Sequence, residues 1–213
     1  MKNTPKENKE WFEDWFDSKF YHILYKDRND SEAKKFIDNL IYFLTPNKND
    51  SFCDVACGKG RHSIYINKLG YLIDGFDLSE NSILEAKGNE SQNLRFYVND
   101  IRIPLKKDNY NFAFNLFTSF GYFENESDNQ KSINAIADSL KSDGVLVLDF
   151  MNCNKTIKNL TQTETKIIDT IEFNISRAVI EGYIIKSISF KHNNTDYVFQ
   201  EKVKVISLEV FKS

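Results

Sequence analysis

An α/β chain built on a doubly wound, mostly parallel sheet is what this sequence predicts, and three observations predict it. Short apolar runs alternate with stretches of helical spacing through the middle of the chain, the pattern of strands covered by helices on both faces. A loop of small residues, Ala56-Cys57-Gly58-Lys59-Gly60, joins the first of these runs to a helical stretch. Three acids, Asp54, Asp77 and Asp100, fall at the ends of three successive runs, where the carboxyl ends of parallel strands open into one crevice.

Taken in order, residues 1–44 predict an amino-terminal helical cap, because Trp11, Trp15, Phe16, Phe20, Ile23 and Leu24 lie close to helical spacing. Residues 45–154 predict the core. Phe52 to Ala56 reads as its first strand, and Arg61 to Leu69 as a helix stopped by Gly70. Tyr71 to Phe76 is a second strand, followed by a helix that Ser79 caps, with Ile83, Leu84 and Ala86 facing inward. Leu94 to Val98 and Tyr110 to Phe117 supply the third and fourth strands. Ser127 and Gln130 have the spacing of a capping box, and Ile133, Ile136, Ala137 and Leu140 share one helical face that ends near Asp143-Gly144. Val145 to Phe150 is the fifth strand. Residues 155–213 switch to strand alternation at Ile171, Phe173 and Ile175, then run through Tyr183 to Phe190 and Tyr197 to Val205, with Asn193-Asn194 as a turn. An antiparallel β meander appended to the core is expected.

The chain has 213 residues, 41% of them hydrophobic and 28% charged, which is the balance of a soluble globular protein. The polar start, Met1 to Glu10, is no secretory signal, and no later run reaches the ~18 apolar residues that a membrane span needs. A cytoplasmic protein without a membrane partner is therefore expected. Cys53, Cys57 and Cys153 are too few and too odd in number for a disulfide framework, and no Cys/His spacing suggests a metal. A net charge of −3 offers no overall attraction to phosphate backbones, so a nucleic-acid partner is not expected.

The chemistry concentrates on the segment Phe52 to His62. Small residues at a strand-to-helix turn let a ligand approach the backbone, and a helix amino terminus offers N–H groups and positive dipole to an anionic ligand end. Asp77 is placed to accept both hydroxyls of a ribose. A nicotinamide dinucleotide is the competing ligand, but Ser63 stands where its fingerprint needs a third glycine. A nucleoside ligand without pyrophosphate fits better.

With Asp54 to His62, Gly75-Phe76-Asp77-Leu78-Ser79, Asn99-Asp100-Ile101 and Asn115 to Tyr122, the sequence resembles the class I S-adenosylmethionine-dependent methyltransferases. The likeness is greatest to their small-molecule branch with an Asp-x-x-Cys-Gly-x-Gly-Arg-His loop. The resemblance covers roughly the first three quarters of the chain and implies a Rossmann-like methyltransferase fold, with S-adenosyl-L-methionine as cofactor and S-adenosyl-L-homocysteine as product. It implies that the stretch from Ala56 through Cys57 and Gly58 to Gly60 passes the methionine moiety and that Asp77, beside Leu78, binds the ribose. It further implies that Asp100, beside Ile101, meets the adenine amino group, that Leu116 lines the methionine side, and that Asp54 belongs to the first motif. The segment Tyr21 to Arg28 resembles one that folds over the cofactor, with Arg28 a partner for its carboxylate. Ala56 replaces the family's usual first glycine and Asn111 an acid that often opens the fourth strand. The family's final helix and strand pair are not evident in the sequence, and an open sheet edge of that kind would suit a homodimer.

Several residues invite blander readings. Cys53 is a core residue, Cys57 a small apolar loop residue without a base beside it, and His62 a packing residue. Asn115-Leu116-Phe117-Thr118 lacks the Asn/Asp-Pro-Pro-aromatic signature of enzymes that methylate nucleic-acid or protein amide nitrogens, so a small-molecule substrate is expected. Candidates for the acceptor side, by position, are Tyr21, His22, Tyr25, Tyr122 and Arg177. The meander is expected to act as a lid. The rival functions are a non-catalytic cofactor-binding module and, less favoured, a nicotinamide oxidoreductase.

Overall fold

Ser51–Val55 (β1) is buried at every position, as the central strand of a parallel sheet must be. In the computed structural model, which describes residues 10–26 and 30–211, β1 is flanked by Leu72–Asp77 (β2) and Tyr110–Asn115 (β4). Leu94–Val98 (β3) and Leu140–Leu148 (β5) form the edges, giving the order β3-β2-β1-β4-β5 with every pairing parallel. The chain winds outward from β1 to β3, then returns to the other side of β1 for β4 and β5. This reversal puts the topological switch point between β1 and β4, where the loops after both strands diverge and leave a crevice.

Alternation along β1 sends side chains to two cores. Phe52 joins Ile66, Ile73, Ile83, Leu94, Phe96, Phe112 and Phe114, covered by helices Asp30–Leu44 (α1), Arg61–Lys68 (α2) and Glu80–Ala86 (α3). Cys53 and Val55 face Phe76, Tyr110, Ala113 and Ile136 on the opposite face, under helix Glu126–Ser139 (α4). Ser79 caps α3 as the sequence predicts, its side chain accepting from the Ser82 N–H, and Gly70 follows α2 with φ of 96°. The cap of α4 differs: Asn125 accepts the Ser127 N–H at 3.0 Å, and Ser127 lies inside the helix. Gln130 bonds forward to Asn134 instead of closing a capping box. The helix ends at Ser139 and not near Asp143-Gly144, because Leu140 already pairs with Tyr110; a register shift before the Phe112–Val145 pair accommodates the residues between.

These elements form the unit of residues 26–152. A second unit joins the amino-terminal residues up to Tyr25 with the residues from Cys153 onward. The segment expected to be a single cap is thus divided: Ile37 of α1 belongs to the parallel-sheet core, whereas Trp15, Phe20 and Leu24 pack on the carboxyl-terminal sheet.

In this second unit the aromatic segment forms two short helices, Trp11–Phe16 (α5) and Lys19–Leu24 (α6), separated because the Ser18 side chain accepts from Phe20 N–H and starts a new helix. The meander has four strands, Thr163–Ile168 (β6), Ile171–Ile180 (β7), Tyr183–His192 (β8) and Thr195–Lys204 (β9), all antiparallel. Its turns, Asp169-Thr170, Glu181-Gly182 and Asn193-Asn194, have positive φ at both residues, the geometry that matches strand twist in two-residue hairpins. Ile171, Phe173 and Ile175 of β7 and Ile188 and Phe190 of β8 form one buried face with Trp15, Phe20 and Leu24.

A polar network ties these helices to the sheet. Glu201 accepts from the Trp15 indole N–H at 2.8 Å and from the Tyr25 hydroxyl at 2.5 Å. Lys186 pairs with Glu201 at 3.5 Å and bonds the same hydroxyl. Both charged side chains are largely buried. Glu201→Ala removes the acceptor of an indole N–H and of a hydroxyl together with the counter-charge of a largely buried ammonium, and should cost about 3 kcal/mol in urea unfolding. Glu201→Gln, which still accepts, should cost clearly less; equal losses in the two variants would mean that packing and not acceptance is what Glu201 supplies.

Candidate functional site

β1 leads into a loop whose backbone is left-handed at Ala56, Gly58 and Gly60, with φ of 58°, 56° and 77°. Ala56 therefore takes a conformation that a glycine would adopt without strain. Cys57 N–H donates to Phe76 O at 2.9 Å and Gly60 N–H to Cys57 O at 3.0 Å, so the loop folds back over the end of β2. A Cβ added at Gly58 would meet no atom within 4 Å, which leaves space directly above the loop.

Asp77, the last residue of β2, holds this loop. Its Oδ2 accepts the Gly58 N–H at 2.8 Å and its Oδ1 the Ser79 N–H at 2.9 Å. The carboxylate thus has structural bonds of its own beside any role toward a ligand. Asp54 and Ser63 lie beneath the loop, the Ser63 hydroxyl donating to Asp54 Oδ2 at 2.5 Å.

The structure brings Asp54, Ala56 to Gly60 and Asp77 together at the carboxyl end of β1 and β2. Asp100, just beyond β3, is engaged differently from the expectation of an open acid. Arg102 Nε and Nη2 donate to its two oxygens at 3.0, 3.1 and 2.6 Å, and the Arg102 N–H adds a bond of 2.8 Å. Hydrogen bonding to Arg102 overcomes partial burial and holds the Asp100 carboxyl below its ordinary range. Arg102 also pairs with Asp128 of α4 at 3.3 Å and lies 4.6 Å from the Phe123 ring centroid. Sequence reasoning missed Arg102, although an arginine two residues after a strand-end acid is a readable signal. Leu78 is exposed, Ile101 packs against the core beneath the sheet, and Leu116 is buried in the core above it.

β4 ends at Asn115, two residues earlier than the sequence pattern predicts, because Phe117 and Thr118 turn left-handed with φ of 59° and 58°. Asn115 is fully buried. Its Nδ2 donates to Val55 O at 3.2 Å and Ser119 O at 3.3 Å, and its Oδ1 has no hydrogen-bond partner among the described residues. Of the acceptor-side candidates, Tyr122 uses its hydroxyl on Thr118 O at 2.6 Å. Tyr21, His22, Tyr25 and Arg177 lie in the antiparallel unit, where Arg177 pairs with Glu164 at 2.6 Å and bonds Thr161 O at 3.2 Å. That pairing across β6 and β7 gives Arg177 a structural role. Arg28 lies outside the described residues. Burial pushes the Cys57 thiol well up, which makes it a poor nucleophile.

His62, buried at the start of α2, stacks on Phe117 with ring centroids 5.1 Å apart and planes at 20°. Burial, aided by the charge of Arg61, pushes its pKa from 6.5 down to about 3. Burial pushes Asp54 the other way, from 3.8 up to about 7, against the hydrogen bond from Ser63. As pH falls through His62's window of about 3 to 6.5, the unfolded chain gains a proton that the folded chain refuses, and stability is lost. As pH falls through Asp54's window of 3.8 to about 7, the folded chain gains a proton that the unfolded chain lacks, and stability rises. The two contributions oppose each other where the windows overlap. Asp54→Asn should therefore make the protein lose stability on acidification relative to wild type, by about 1.4 kcal/mol per pH unit, and His62→Phe should do the reverse. Urea unfolding across that window checks both; variant-minus-wild-type differences that stay constant with pH would rule out these titrations.

Comparison with known proteins agrees with this geometry. The sequence matches the family described as "Methyltransferase domain" over residues 46–203. It is 39% identical over 62 residues to the Haemophilus influenzae protein named "Probable S-adenosyl-L-methionine-dependent methyltransferase TehB", across 28% of this chain and 22% of that protein. The chain thus spans about a fifth of that relative's length. Among solved structures, an S-adenosylmethionine-dependent methyltransferase from Clostridium acetobutylicum superposes with a TM-score of 0.72 at 18% identity, covering 91% of this chain and 81% of that one. The sugar N-methyltransferase KedS8 from Streptoalloteichus sp. does so with a TM-score of 0.73 at 15% identity, covering 90% and 80%. The chain belongs to the methyltransferase-domain family and has the fold of the class I S-adenosylmethionine-dependent methyltransferases.

Proposed function

We propose that this chain transfers the methyl group of S-adenosylmethionine to a small-molecule acceptor. The observation that carries the reading is the Asp77 carboxylate, which joins the glycine loop to the cap of α3 at the carboxyl ends of β1 and β2, beside the switch point. The residues fit such a cofactor: the space above Gly58 admits a ligand against the backbone, and the buried Asn115 Oδ1 is an acceptor without a partner among the described residues. Ala56 to Gly60 would pass the methionine end, Asp77 would take the ribose hydroxyls and Asp100 the adenine amino group, while Leu116 would back the methionine side. When bound, the cofactor supplies a methyl on a positively charged sulfur that an acceptor lone pair displaces in line. The chain's own part is then to orient donor and acceptor and exclude water. An acceptor amine that enters neutral needs no dedicated base, whereas a hydroxyl needs a side chain to take its proton.

Support for a small-molecule acceptor comes from the absence of the amide-methylating signature at Asn115 to Thr118 and from the fold shared with a sugar N-methyltransferase. Arg28 and the antiparallel sheet, as closing segment and lid, belong to the same proposal. Calorimetric titration with S-adenosylhomocysteine followed by a methyl-transfer assay across amino sugars, small amines and phenols tests it. Binding with turnover on one of these classes is the expected result. Binding without turnover on any of them would leave a cofactor-binding module, and no binding would remove the reading altogether.

A further inference from the structure

The turn after β4 carries two consecutive non-glycine residues in the left-handed region, Phe117 and Thr118. L-residues avoid that region, and such a pair persists only where surrounding bonds hold it. Here the bonds come from Asp149, the first residue beyond β5. Its N–H donates to Asn115 O at 2.8 Å, its carbonyl accepts the Thr118 N–H at 3.0 Å, and its carboxylate accepts the Phe117 N–H at 2.9 Å. Tyr122 and Ser119 brace the same turn through Thr118 O and Leu116 O. So held, the Phe117 ring stacks on His62 and lies 4.4 Å from the Arg61 guanidinium carbon. Arg61 and His62 are the two residues that follow the glycine loop, and Phe117 follows Leu116. The turn, the stack and the loop therefore form one connected support on the two sides of the switch point.

We propose that Asp149 is a positioning residue of the donor site, acting through Phe117: its carboxylate fixes the left-handed turn that seats Phe117 on Arg61 and His62. This sets the spacing between the loop bearing Leu116 and the glycine loop. The inference rests on reading this crevice as the donor site. Two of the three Asp149 bonds are backbone bonds that any residue keeps. Only the bond to the Phe117 N–H depends on the side chain, so substitution isolates it.

The test is calorimetric titration of S-adenosylhomocysteine, at a temperature where circular dichroism shows each variant folded, together with thermal unfolding. Asp149→Ala should raise Kd about tenfold, the conversion expected for one lost hydrogen bond to a carboxylate. Asp149→Asn, whose amide oxygen still accepts, should stay within about threefold of wild type on the same scale. Tyr110→Phe, which removes the 2.7 Å bond to Asp74 in the opposite core, serves as the stability control and should leave Kd unchanged. Thr118→Gly placed in the Asp149→Ala background relieves one of the turn's two left-handed positions and should recover part of the lost Tm, which keeps the proposal testable if the single alanine variant folds poorly. An Asp149→Ala protein that binds as tightly as wild type would overturn the proposal. So would an Asn variant as weak as the alanine one, a Tyr110→Phe protein weakened to the same degree, or a double variant with no recovery of Tm. Wild-type protein that fails to bind S-adenosylhomocysteine is a separate outcome, seen before any variant is compared, and it overturns the donor-site reading and this inference with it.

Discussion

Gly60→Ala is expected to be among the most destabilising single substitutions in the chain, because two costs fall on the same atom. Gly60 caps α2 with φ of 77°, a conformation that costs an alanine about 1–2 kcal/mol. Its new Cβ would also lie 2.4 Å from Phe96 Cζ and 2.5 Å from Cε1. Phe96 is 1% exposed in the core formed by β1, β2 and β3 with their helices, so its ring has nowhere to withdraw. Overpacking of this kind adds about 1–3 kcal/mol, for a total of about 2–5 kcal/mol that urea unfolding should register. Gly58→Ala separates the two costs. Its φ of 56° imposes the backbone cost alone, since the added Cβ meets nothing within 4 Å, but the methyl then occupies the space above the loop. Stability should fall by about 1 kcal/mol, while the affinity for S-adenosylhomocysteine should fall about tenfold or more. If Gly58→Ala binds normally, the cofactor does not approach the loop at that point.

The contrast between these two glycines also shows what local sequence can carry. The inner parallel strands are legible because β1, β2 and β4 are buried along most of their length and read as short, mainly apolar runs, and the loop is legible because left-handed backbone selects small residues. Ser79 is legible as a cap because its helix begins immediately after it. At the start of α4 several capping side chains stand close together, Asn125, Ser127 and Asp128, and the spacing alone favours the wrong one. β6 escapes notice because Thr163 to Ile168 is a mostly exposed edge strand paired on one side only, so no strict alternation marks it. Asp169-Thr170 gives no turn signal, since a β-branched threonine disfavours the φ of 70° that it adopts. The assignment of residues 11–25 to the antiparallel unit depends on contacts such as Trp15 with Glu201, 186 positions apart, which no window of local spacing contains. Asp149 is a similar case: it acts on Phe117, 32 positions away, and the residue type says only that a charge is present. Arg102 differs, since its partner Asp100 is two residues away and legible, and only its second partner, Asp128, lies beyond local spacing.

Asp77→Ala should impair both binding and folding. An acid expected from its strand-end position to point into an open crevice could be removed at little cost to the fold, but the structure shows the carboxylate receiving two backbone N–H groups, Gly58 at 2.8 Å and Ser79 at 2.9 Å. Ser79 is itself the cap of α3, so the loss reaches the helix start on one side and the glycine loop on the other. Truncation leaves two donors without their acceptor, a cost of about 2–3 kcal/mol in urea unfolding. Loss of the ribose contact should weaken S-adenosylhomocysteine binding by about thirty- to hundredfold, equivalent to about 2–3 kcal/mol. Asp77→Asn separates the contributions in part: its single carbonyl can still accept one N–H, while its amide group faces the other donor unfavourably. Intermediate values in both measurements are therefore expected. If Asp77→Ala loses stability while binding S-adenosylhomocysteine as wild type does, the carboxylate is a loop brace only, and the ribose must find its partner elsewhere in the crevice.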